Sequence, residues 1–407
     1  MRILFVHNNF PGQYARIVRF LKGRRDVDML SGSLASNKQP APIKRIGYTP
    51  HREARKEIHP ALRYTETSVI RGQAAYTAFM PVKAKGFNPD IILAHSGFGD
   101  GIFLKDLWPQ AKYMPYFEWY YHAYGSDASY LDHEAPKKPD VELQIRMKNT
   151  AILHDLAAMD WGQCPTEFQR DQFPAHLRDR ISVLHDGVDT DYFSPDETAT
   201  FSVGDLVFRN GDPVITYIAR GMEPYRGFPQ FMEAVAILQK SRPEAHVVII
   251  GEDRVAYGAK RPDGKTHKEW ALENLSLDES RIHFLGRQPL RALRDALRVS
   301  AAHVYLTVPF VLSWSMMEAM SAGALIVGSD TAPVREIVTD GENGLLVPFF
   351  EPEALAARLA DVLADQARFA PLRERARALM LERYNMKDLT GQYFDLIQRV
   401  AKGQMTA

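Results

Sequence analysis

Cysteine is nearly absent from this chain. Only Cys164 occurs among the 407 residues, so no intrachain disulfide can form, and a reducing cytoplasm is the expected compartment. A charge surplus is missing too, because 50 Lys and Arg residues balance 50 Asp and Glu residues. A protein that coats nucleic acid normally carries a basic surplus, so this balance argues against a nucleic-acid partner.

Long apolar runs are also missing. The start, MRILFVHNNFPGQ, is too poor in consecutive apolar residues for the core of a signal peptide. No later stretch approaches the roughly 18 apolar residues of a membrane span. We therefore expect a cytoplasmic protein, at most peripheral at the inner face of the membrane. The basic groups at 22–25 and 51–56 are the segments for such a contact, with plain solvated faces as the alternative.

Two signatures of cofactor and metal chemistry do not occur. The dinucleotide fingerprint G-x-G-x-x-G does not follow the first strand pattern, which counts against an NAD enzyme. No set of His, Cys and carboxylate residues has the spacing of metal ligands. We expect neither a resident cofactor nor a metal site.

The remaining pattern alternates short apolar runs with longer helical segments. Runs of this kind suit strands buried on both faces, and strand–helix alternation predicts an α/β fold with parallel sheets and right-handed crossovers. The predicted strands are 2–7, 90–95, 112–117, 181–185, 214–219, 246–251, 282–286, 303–308 and 324–329.

The length and one change in composition suggest two domains. A chain of 407 residues suits two domains of about 200 residues each. Segment 189–213 is rich in Asp, Thr, Ser, Gly and Pro and lacks a strong period, so we interpret it as a linker region. Two doubly wound domains follow, 1–195 and 211–385, and the last helical segment, 386–402, could belong to either.

Polar and small residues cluster directly after the predicted strands. Ligands of open parallel sheets bind outside the carboxyl ends of the strands, and two such sheets facing each other would form one cleft. The residues concerned include His7, His95, Glu118 and Arg220.

Two arginines share one strand-to-helix loop, RGMEPYRG. Arg220 and Arg226 suit a diphosphate, because guanidinium groups grip phosphate oxygens in a bidentate manner. Ordinary surface arginines are the alternative.

The stretch TVPFVLSWSMMEAMSAGALIVGSD holds one acid, Glu318. Ser313 or Ser315 can cap a helix that ends at Gly323, and free amides at its start could bind phosphate. Glu318 lies about one turn further in, where its two oxygens can accept from a vicinal diol such as that of ribose. A solvated helix face is the alternative.

Three further features have a functional and a plain interpretation. Gly12 would let the backbone approach an anionic ligand at a helix start, or it forms a plain tight turn. His95 ends a predicted strand, where a lone histidine is more often structural than catalytic. The aromatic run 116–124, with Glu118 and Tyr120, is a sugar-stacking wall or ordinary packing.

Five segments in this order resemble the retaining glycosyltransferases of family 4, also described as glycosyl transferases group 1. They are HDGVDTDYFSP (185–195), ARGMEPYRGF (219–228), HFLGR (283–287), SMMEAMSAGALIVGSD (315–330) and REIVTDGENGLLV (335–347). The resemblance implies a GT-B architecture of two Rossmann-like domains facing across a cleft. The C-terminal domain would hold the donor, the N-terminal domain the acceptor, and segment 386–407 would return to the N-terminal domain.

The resemblance also assigns roles to single residues. It implies that Arg220 and Arg226 contact the donor diphosphate and that Glu318 binds the ribose. By the same resemblance, Gly12 falls on the N-terminal phosphate loop, and His95 lies in a strand-end region similar to the one that often carries a histidine near the reacting sugar. Backbone groups at Gly286 and Arg287 would read the base.

The chain departs from the family pattern at one acidic position. The family usually has a second glutamate eight positions before Glu318, and Phe310 stands there. Val311 and Ser313 replace the usual glycines, and Arg226 replaces a lysine. These changes leave the identity of the donor sugar open.

The sequence therefore predicts a metal-independent retaining glycosyltransferase. It would move a hexosyl or deoxyhexosyl group from a nucleotide diphosphate sugar, a substrate rather than a cofactor, to a carbohydrate or lipid-linked acceptor in glycan, polysaccharide or lipopolysaccharide biosynthesis. A sugar-nucleotide epimerase of the same architecture and a non-catalytic nucleotide-sugar-binding protein are the alternatives. The predicted catalytic residues are His95, Arg220 and Arg226, the acceptor-binding residues are Glu118 and Tyr120, and the donor-binding residues are Gly12, Gln13, Gly286, Arg287, Phe310, Ser313, Trp314, Ser315 and Glu318.

Overall fold

The computed structural model describes residues 1–132 and 139–405, which form two compact units. The strands are β1 (Arg2–Val6), β2 (Asp28–Leu34), β3 (Arg45–Tyr48), β4 (Ile91–Ala94), β5 (Lys112–Tyr113), β6 (Gly162–Cys164), β7 (Ile181–Val183), β8 (Thr200–Val203), β9 (Leu206–Arg209), β10 (Val214–Gly221), β11 (His246–Glu252), β12 (Ile282–Phe284), β13 (Ala302–Tyr305), β14 (Ile326–Ser329) and β15 (Leu345–Val347). The helices are α1 (Ala15–Leu21), α2 (Arg63–Ala84), α3 (Leu104–Leu107), α4 (Asp127–Tyr130), α5 (Pro139–Met147), α6 (Thr150–Ala158), α7 (Glu167–Arg170), α8 (Phe228–Ser241), α9 (His267–Asn274), α10 (Leu290–Arg298), α11 (Trp314–Ala322), α12 (Ala332–Arg335), α13 (Pro352–Ala364), α14 (Ala370–Arg383) and α15 (Met386–Ala401).

The first unit contains residues 1–125, 139–187 and 386–405 of the described chain. Its parallel sheet has the order β3-β2-β1-β4-β5. Single bridges from His95 to Tyr116 and from Tyr116 to Gln163 connect it to the parallel pair β6-β7. Because β1 and β4 are neighbours in space but not in sequence, the strand order reverses between them, which is where ligands of open α/β sheets bind.

Alternate side chains of the first strand point into two cores. Ile3 and Phe5 pack on one face with residues of α1 and α15, whereas Leu4 and Val6 pack on the other face with residues of α2 and α3. All four are fully buried, as expected for a parallel strand covered on both faces. Helix α15 thus belongs to the core of the first unit, although it ends the chain.

The second unit contains residues 126–132 and 188–385 of the described chain. Its six-stranded parallel sheet has the order β12-β11-β10-β13-β14-β15, with the reversal between β10 and β13. Strands β10 and β11 are long, rich in β-branched residues and almost entirely buried. The prediction of an α/β fold with two Rossmann-like parallel-sheet domains is confirmed.

The segment interpreted as a linker is an antiparallel hairpin instead. Strands β8 and β9 pair from Thr200 with Arg209 to Val203 with Leu206, and the turn residue Gly204 has φ +57. A two-residue turn that starts with glycine is typical of hairpins, because it matches the twist of the flanking strands. Phe201 and Phe208 are buried, so composition alone hid two apolar strand positions.

The chain passes from the first unit to the second after Gly187, ahead of the boundary expected at residue 195. Residues 188–195 pack on the second unit, because half-buried arginines of its helices donate hydrogen bonds to their carbonyl groups. Arg298 Nε donates to Ser194 O at 2.7 Å, and Arg377 Nη1 donates to Phe193 O at 2.9 Å. Such long-range hydrogen bonds leave no trace in local composition.

All nine predicted strands contain an observed strand, but one is much shorter than expected. The prediction 112–117 corresponds to Lys112–Tyr113 alone. Pro115 interrupts the ladder because proline has no N–H to donate, and Tyr116 resumes it through single bridges. The strands β2, β3, β6 and β15 escaped prediction because they are short or rich in small and polar residues.

Candidate functional site

The first unit places a polar chain at the carboxyl edge of its sheet. His7 directly follows β1, and its Nε2 lies 2.9 Å from Gln13 Oε1 in the turn before α1. Gln13 Nε2 donates to Glu118 Oε1 at 3.0 Å, in the loop that follows Tyr116. Two residues near the start of the chain thus meet one that lies more than a hundred positions later, at the point where the strand order reverses.

His95 lies beside this chain. It directly follows β4, and its Nε2 lies 3.6 Å from Glu118 Oε2. The ring stacks on those of Phe98 and Tyr116 and meets the His7 ring edge-on at 4.8 Å. The structure therefore brings together the predicted residues His95, Gln13 and Glu118, and it adds His7, which sequence reasoning did not assign although it follows the first strand.

Burial and hydrogen bonding give the groups of this cluster different protonation states. Burial, and to a smaller extent His95, lowers the pKa of His7 to about 3, so its ring is neutral at physiological pH. Burial acts to raise the pKa of Glu118, but hydrogen bonding and charge from His95 outweigh it, so the pKa of this carboxyl lies below its usual range. Glu118 is therefore an ionised acceptor.

A buried carboxylate supports the loop behind His95. Ser96 Oγ donates to Asp155 Oδ2 at 2.7 Å, and Tyr113 Oη donates to Asp155 Oδ1 at 2.6 Å. Burial raises the pKa of Asp155 to about 6, in spite of both donors. This network ties the end of β4 to β5 and α6.

The second unit buries a guanidinium at its own strand-order reversal. Arg226 follows β10, and its Nη1 donates to Thr307 Oγ1 at 2.8 Å and to Tyr305 Oη at 3.2 Å, while Nη2 donates to Val311 O at 3.0 Å. Arg226 is only 8% exposed, and in the described chain no carboxylate lies within salt-bridge distance of it. A buried cation without a counter-charge is unfavourable, so this position suits an anionic ligand.

Aromatic rings surround the two arginines. The exposed guanidinium of Arg220 donates to Tyr257 Oη at 3.1 Å, and the Arg226 guanidinium lies 5.8 Å from the Tyr257 ring. Phe310 is buried and packs edge-on against Tyr257 at 5.2 Å and Tyr225 at 5.7 Å. The predicted residues Arg220, Arg226 and Phe310 thus share one neighbourhood, with Tyr257 added by tertiary structure alone.

Glu223 is a residue of this loop that sequence reasoning missed. It lies between the two arginines, is fully buried, and accepts from the backbone amides of Ala256 and Tyr257. Burial raises the pKa of Glu223, although these amides oppose the shift. The carboxylate holds the loop that carries Tyr257 against the end of β10. Its place inside the motif RGMEPYRG was the available signal.

Helix α11 begins where the sequence predicted. Ser313 is its N-cap and accepts from the amide of Ser315, while its own amide donates to Tyr305 Oη at 2.7 Å. Trp314 is partly exposed at the first position, and the half-buried Glu318 lies one turn further in. Gly323 ends the helix with φ +90, and its amide donates to Met320 O. Helix start and acid are thus placed as expected.

The remaining predicted residues are Gly286, Arg287, Tyr120 and Gly12, and each has its own surroundings. Gly286 has φ +63 and accepts from the amide of Gly251, which fixes the end of β12, and Arg287 beside it is exposed. Tyr120 packs its ring against Phe173 and His122, so it is linked to a core and not to Glu118. Gly12 packs on the His7 ring. The functional roles assigned to these four residues stay predictions.

Two further kinds of feature are absent from residues 1–132 and 139–405. No group of three or more His, Cys, Asp or Glu side chains in this part of the chain is arranged to hold a metal ion. Within the same ranges, no helix combines the length and the apolar character needed to span a bilayer.

Comparisons with known proteins cover most of the chain. The family described as "Glycosyl transferase family 4 group" matches residues 26–193, and "Glycosyl transferases group 1" matches residues 200–379. The chain is 30% identical over 193 residues to a D-inositol 3-phosphate glycosyltransferase of Corynebacterium glutamicum, covering 46% of this chain and 44% of that protein. It is 28% identical over 239 residues to a phosphatidyl-myo-inositol mannosyltransferase of Mycobacterium tuberculosis, covering 57% of each chain. The chain thus spans about half the length of the characterised relatives that it matches.

Solved structures extend the likeness in fold to nearly the whole chain. HepE of Anabaena in complex with UDP aligns with a TM-score of 0.67 and 16% identity over 98% of this chain and 100% of that one. Sucrose-phosphate synthase of Thermosynechococcus elongatus aligns with a TM-score of 0.71 and 15% identity over 98% and 99%. With the two successive family matches and the two Rossmann-like sheets, the chain belongs to the family 4, group 1 glycosyltransferases of GT-B fold.

Proposed function

We propose that the protein is a retaining glycosyltransferase that moves a sugar from a nucleotide diphosphate sugar to a carbohydrate or lipid-linked acceptor. The observation that carries the proposal is Arg226, a buried guanidinium without a carboxylate partner at the strand-order reversal of the second sheet. Glu223 interacts with this charge through space only, so an anionic ligand would supply the direct partner that it lacks. The relatives named above are glycosyltransferases by their own descriptions, which supports the same reaction class.

The second unit is the proposed donor-binding domain. Arg220 and Arg226 hold the diphosphate, helped by the amides at the start of α11 next to Ser313. Glu318 accepts hydrogen bonds from the two ribose hydroxyls. Phe310 packs in the aromatic cluster with Tyr225 and Tyr257. Its ring therefore lines the site of the two arginines and accepts no hydrogen bond from a sugar hydroxyl.

The chemistry follows from stabilising the leaving group. The bond between the anomeric carbon and the diphosphate oxygen breaks, and its electron pair leaves with the diphosphate. The acceptor oxygen bonds the anomeric carbon on the same face, and its proton passes to the leaving phosphate oxygen. Arg220 and Arg226 stabilise the charge that builds on the diphosphate, so we propose that no divalent metal is required.

The first unit is the proposed acceptor-binding domain. Its ionised Glu118 and the neighbouring His95 form a polar pair at the sheet edge, suited to a hydroxyl group. Tyr120 belongs to the same loop, and an acceptor sugar could stack on its ring.

A donor screen followed by a transfer assay tests the proposal. A matching nucleotide diphosphate sugar should raise the melting temperature, because a ligand that binds only the folded state stabilises it. The same donor should then be consumed in the presence of EDTA, with the anomeric configuration of the product, read by proton NMR, equal to that of the donor. Arg220→Ala should lose most of this turnover.

Three results would contradict the proposal. An inverted product would remove the retaining mechanism, and an absolute need for magnesium or manganese would remove metal independence. Tight nucleotide-sugar binding with neither transfer nor hydrolysis over a broad acceptor panel would instead indicate a binding protein.

A further inference from the structure

We infer that His7 and Gln13 are positioning residues, which hold the Glu118 carboxylate against His95 through a one-way chain of hydrogen bonds. The inference rests on the proposed function, because it concerns how the acceptor-side pair of that reaction is oriented. Neither residue needs to touch a substrate for this role.

The chain starts at a backbone amide that fixes the tautomer of His7. The N–H of Asn9 donates to His7 Nδ1 at 2.8 Å, so this nitrogen is an acceptor and carries no proton. The buried ring is neutral, since its pKa is about 3. Its single proton is therefore on Nε2, which donates to Gln13 Oε1 at 2.9 Å.

The orientation of the Gln13 amide follows from that proton. Its oxygen accepts from His7, so its nitrogen faces Glu118 Oε1 at 3.0 Å and donates to it. A flipped amide would set a donor against the His7 N–H and an acceptor against a carboxylate. His7 thus fixes the Gln13 amide, and Gln13 in turn fixes Oε1 of Glu118. The other carboxylate oxygen, Oε2, faces His95.

The opposite side of the pair is fixed in the same way. His95 Nδ1 lies 2.9 Å from the carbonyl oxygen of Ser96, to which only an N–H can donate. The proton on Nδ1 leaves the buried Nε2 to face Glu118 Oε2, at 3.6 Å. Without a proton on Nε2, two acceptors would oppose each other across this distance. A proton shared between Nε2 and Oε2 removes that opposition and agrees with the lowered pKa of Glu118, to which hydrogen bonding from His95 contributes.

Glycine at position 12 is required by this arrangement. Gly12 has φ +45, and a Cβ atom there would lie 2.6 Å from His7 Nε2 and under 3 Å from two ring carbons. The His7 ring could not keep its distance to Gln13 beneath such a side chain. The glycine therefore lets the turn before α1 close over the imidazole.

The titratable groups around Glu118 are His95, His7 and Tyr116. Tyr116 stays neutral because burial raises its pKa well above the usual value. The loss of activity on the acid side of the pH profile, its acid limb, thus reports the protonation of Glu118. Removing the Gln13 donor favours the protonated carboxyl, so the limb should move to higher pH by about half a unit or more.

Matched variants at both positions test the inference. Gln13→Leu keeps the volume but removes the donor, and His7→Phe keeps the ring but removes the N–H. Both should lower kcat by about tenfold, because the acceptor hydroxyl held by Glu118 would be less well aligned, with a smaller change in donor KM. His7→Gln restores an N–H near the Nε2 position and should recover most of the rate and the wild-type limb. Gln73→Leu, on the exposed face of α2, is the control and should match the wild type.

A second measurement decides the inference without any activity. Long-range nitrogen–proton NMR of the free protein should show His7 as the Nε2–H tautomer, and Gln13→Leu should change the ring signals of His95. An Nδ1–H tautomer would overturn the inference, as would His7→Phe and His7→Gln with equal pH profiles. If no donor is consumed but the NMR result holds, the proposed function fails and the hydrogen-bond chain stands.

Discussion

At the residue scale, the hydrogen bonds of Arg226 explain why an arginine suits this position better than a lysine. Its planar fork satisfies Tyr305, Thr307 and Val311 at once, whereas a lysine ammonium offers one point charge and a less defined geometry. The acceptors around it are neutral, so the positive charge stays available to a ligand. Arg220 adds a second charge on the same loop from an exposed position.

Arg220→Ala should weaken nucleotide diphosphate binding by about 1.5–3 kcal/mol, the scale of a hydrogen bond to a charged group. The melting temperature should be nearly unchanged, because Arg220 is exposed and its side chain donates to Tyr257 Oη at the surface. Isothermal calorimetry with the nucleoside diphosphate measures the loss. Arg291→Ala, at an arginine whose side chain is 82% exposed on α10, is the matched control. Equal affinities for both variants would remove Arg220 from the donor site.

Glu318→Ala should also weaken binding of the nucleoside diphosphate by about 1.5–3 kcal/mol, since two hydroxyl donors would lose a charged acceptor. The 2′,3′-dideoxy nucleotide provides the decisive comparison, because it lacks the hydroxyls concerned. It should bind the wild type and the variant with the same affinity. Glu382→Ala, on the exposed side of α14, is the control for a lost negative charge. A variant that still prefers the hydroxylated nucleotide would contradict the ribose assignment.

At the element scale, the end of α11 depends on a glycine. Gly323 takes the left-handed conformation after the last helical residue, which closes the helix through backbone hydrogen bonds. A Cβ atom there would also come within 3.1 Å of Pro195. The segment 188–195 therefore packs tightly on the end of the helix that carries Glu318.

Gly323→Ala should lower the stability of the second unit by about 1–2 kcal/mol, the cost of placing a side chain in the left-handed region. Gly391→Ala is the opposite case, because Gly391 lies inside α15 and a Cβ atom there meets nothing within 4 Å. That variant should gain up to about 1 kcal/mol in stability from better helix propensity. Calorimetric unfolding of both proteins measures the two signs. A stabilising Gly323→Ala would contradict the cap geometry.

At the scale of the whole molecule, buried titratable groups set how stability depends on pH. Burial lowers the pKa of His7, His185 and His303 to about 3 each. In the unfolded chain these rings have a pKa near 6.5. Between pH 6.5 and 3 the unfolded state therefore binds protons that the folded state does not bind. Their contribution to stability is complete above pH 6.5 and is lost as the pH falls through this window.

His303→Asn should flatten the acid dependence of the melting temperature. The asparagine can keep a hydrogen bond to Thr216 Oγ1, which lies 2.9 Å from His303 Nδ1, without a group that titrates. Wild-type stability should fall by about 1.4 kcal/mol per pH unit more than that of the variant below pH 6.5. His51→Asn, at an exposed histidine, should leave the dependence as in the wild type. Parallel melting curves for His303→Asn and wild type from pH 7.5 to 5 would contradict a neutral buried His303.

Asp155→Asn should show the opposite trend. The pKa of Asp155 is about 6 in the folded state, above the ordinary 3.8, so the folded state binds the extra proton between these values. Stability is favoured below pH 4 and falls as the pH rises to 6, by about 3 kcal/mol in all. Relative to wild type, the variant should therefore gain melting temperature between pH 4 and 7. A constant difference over that range would mean that Asp155 ionises normally.

Local sequence patterns determined much of this protein. The nine apolar runs became strands because a buried parallel strand needs consecutive apolar residues, which a short window reveals. Ser313 and Gly323 bound α11 because capping depends on the chemistry of single residues at a helix end. The arginine pair was visible because Arg220 and Arg226 share one loop. These features depend on contacts within a few residues of each other.

Long-range contacts decided the remainder. His7 and Gln13 meet Glu118 across more than a hundred residues, and no pattern around any of them records that meeting. Tyr257 reaches Arg220 only because buried Glu223 holds its loop. The boundary at Gly187 depends on arginines of α10 and α14 that grip remote carbonyl groups. Sequence periodicity indicates which side of an element is buried. The element that it packs against is decided by long-range contacts that form when the whole chain folds. Those contacts placed the polar groups at the carboxyl edges of the two sheets.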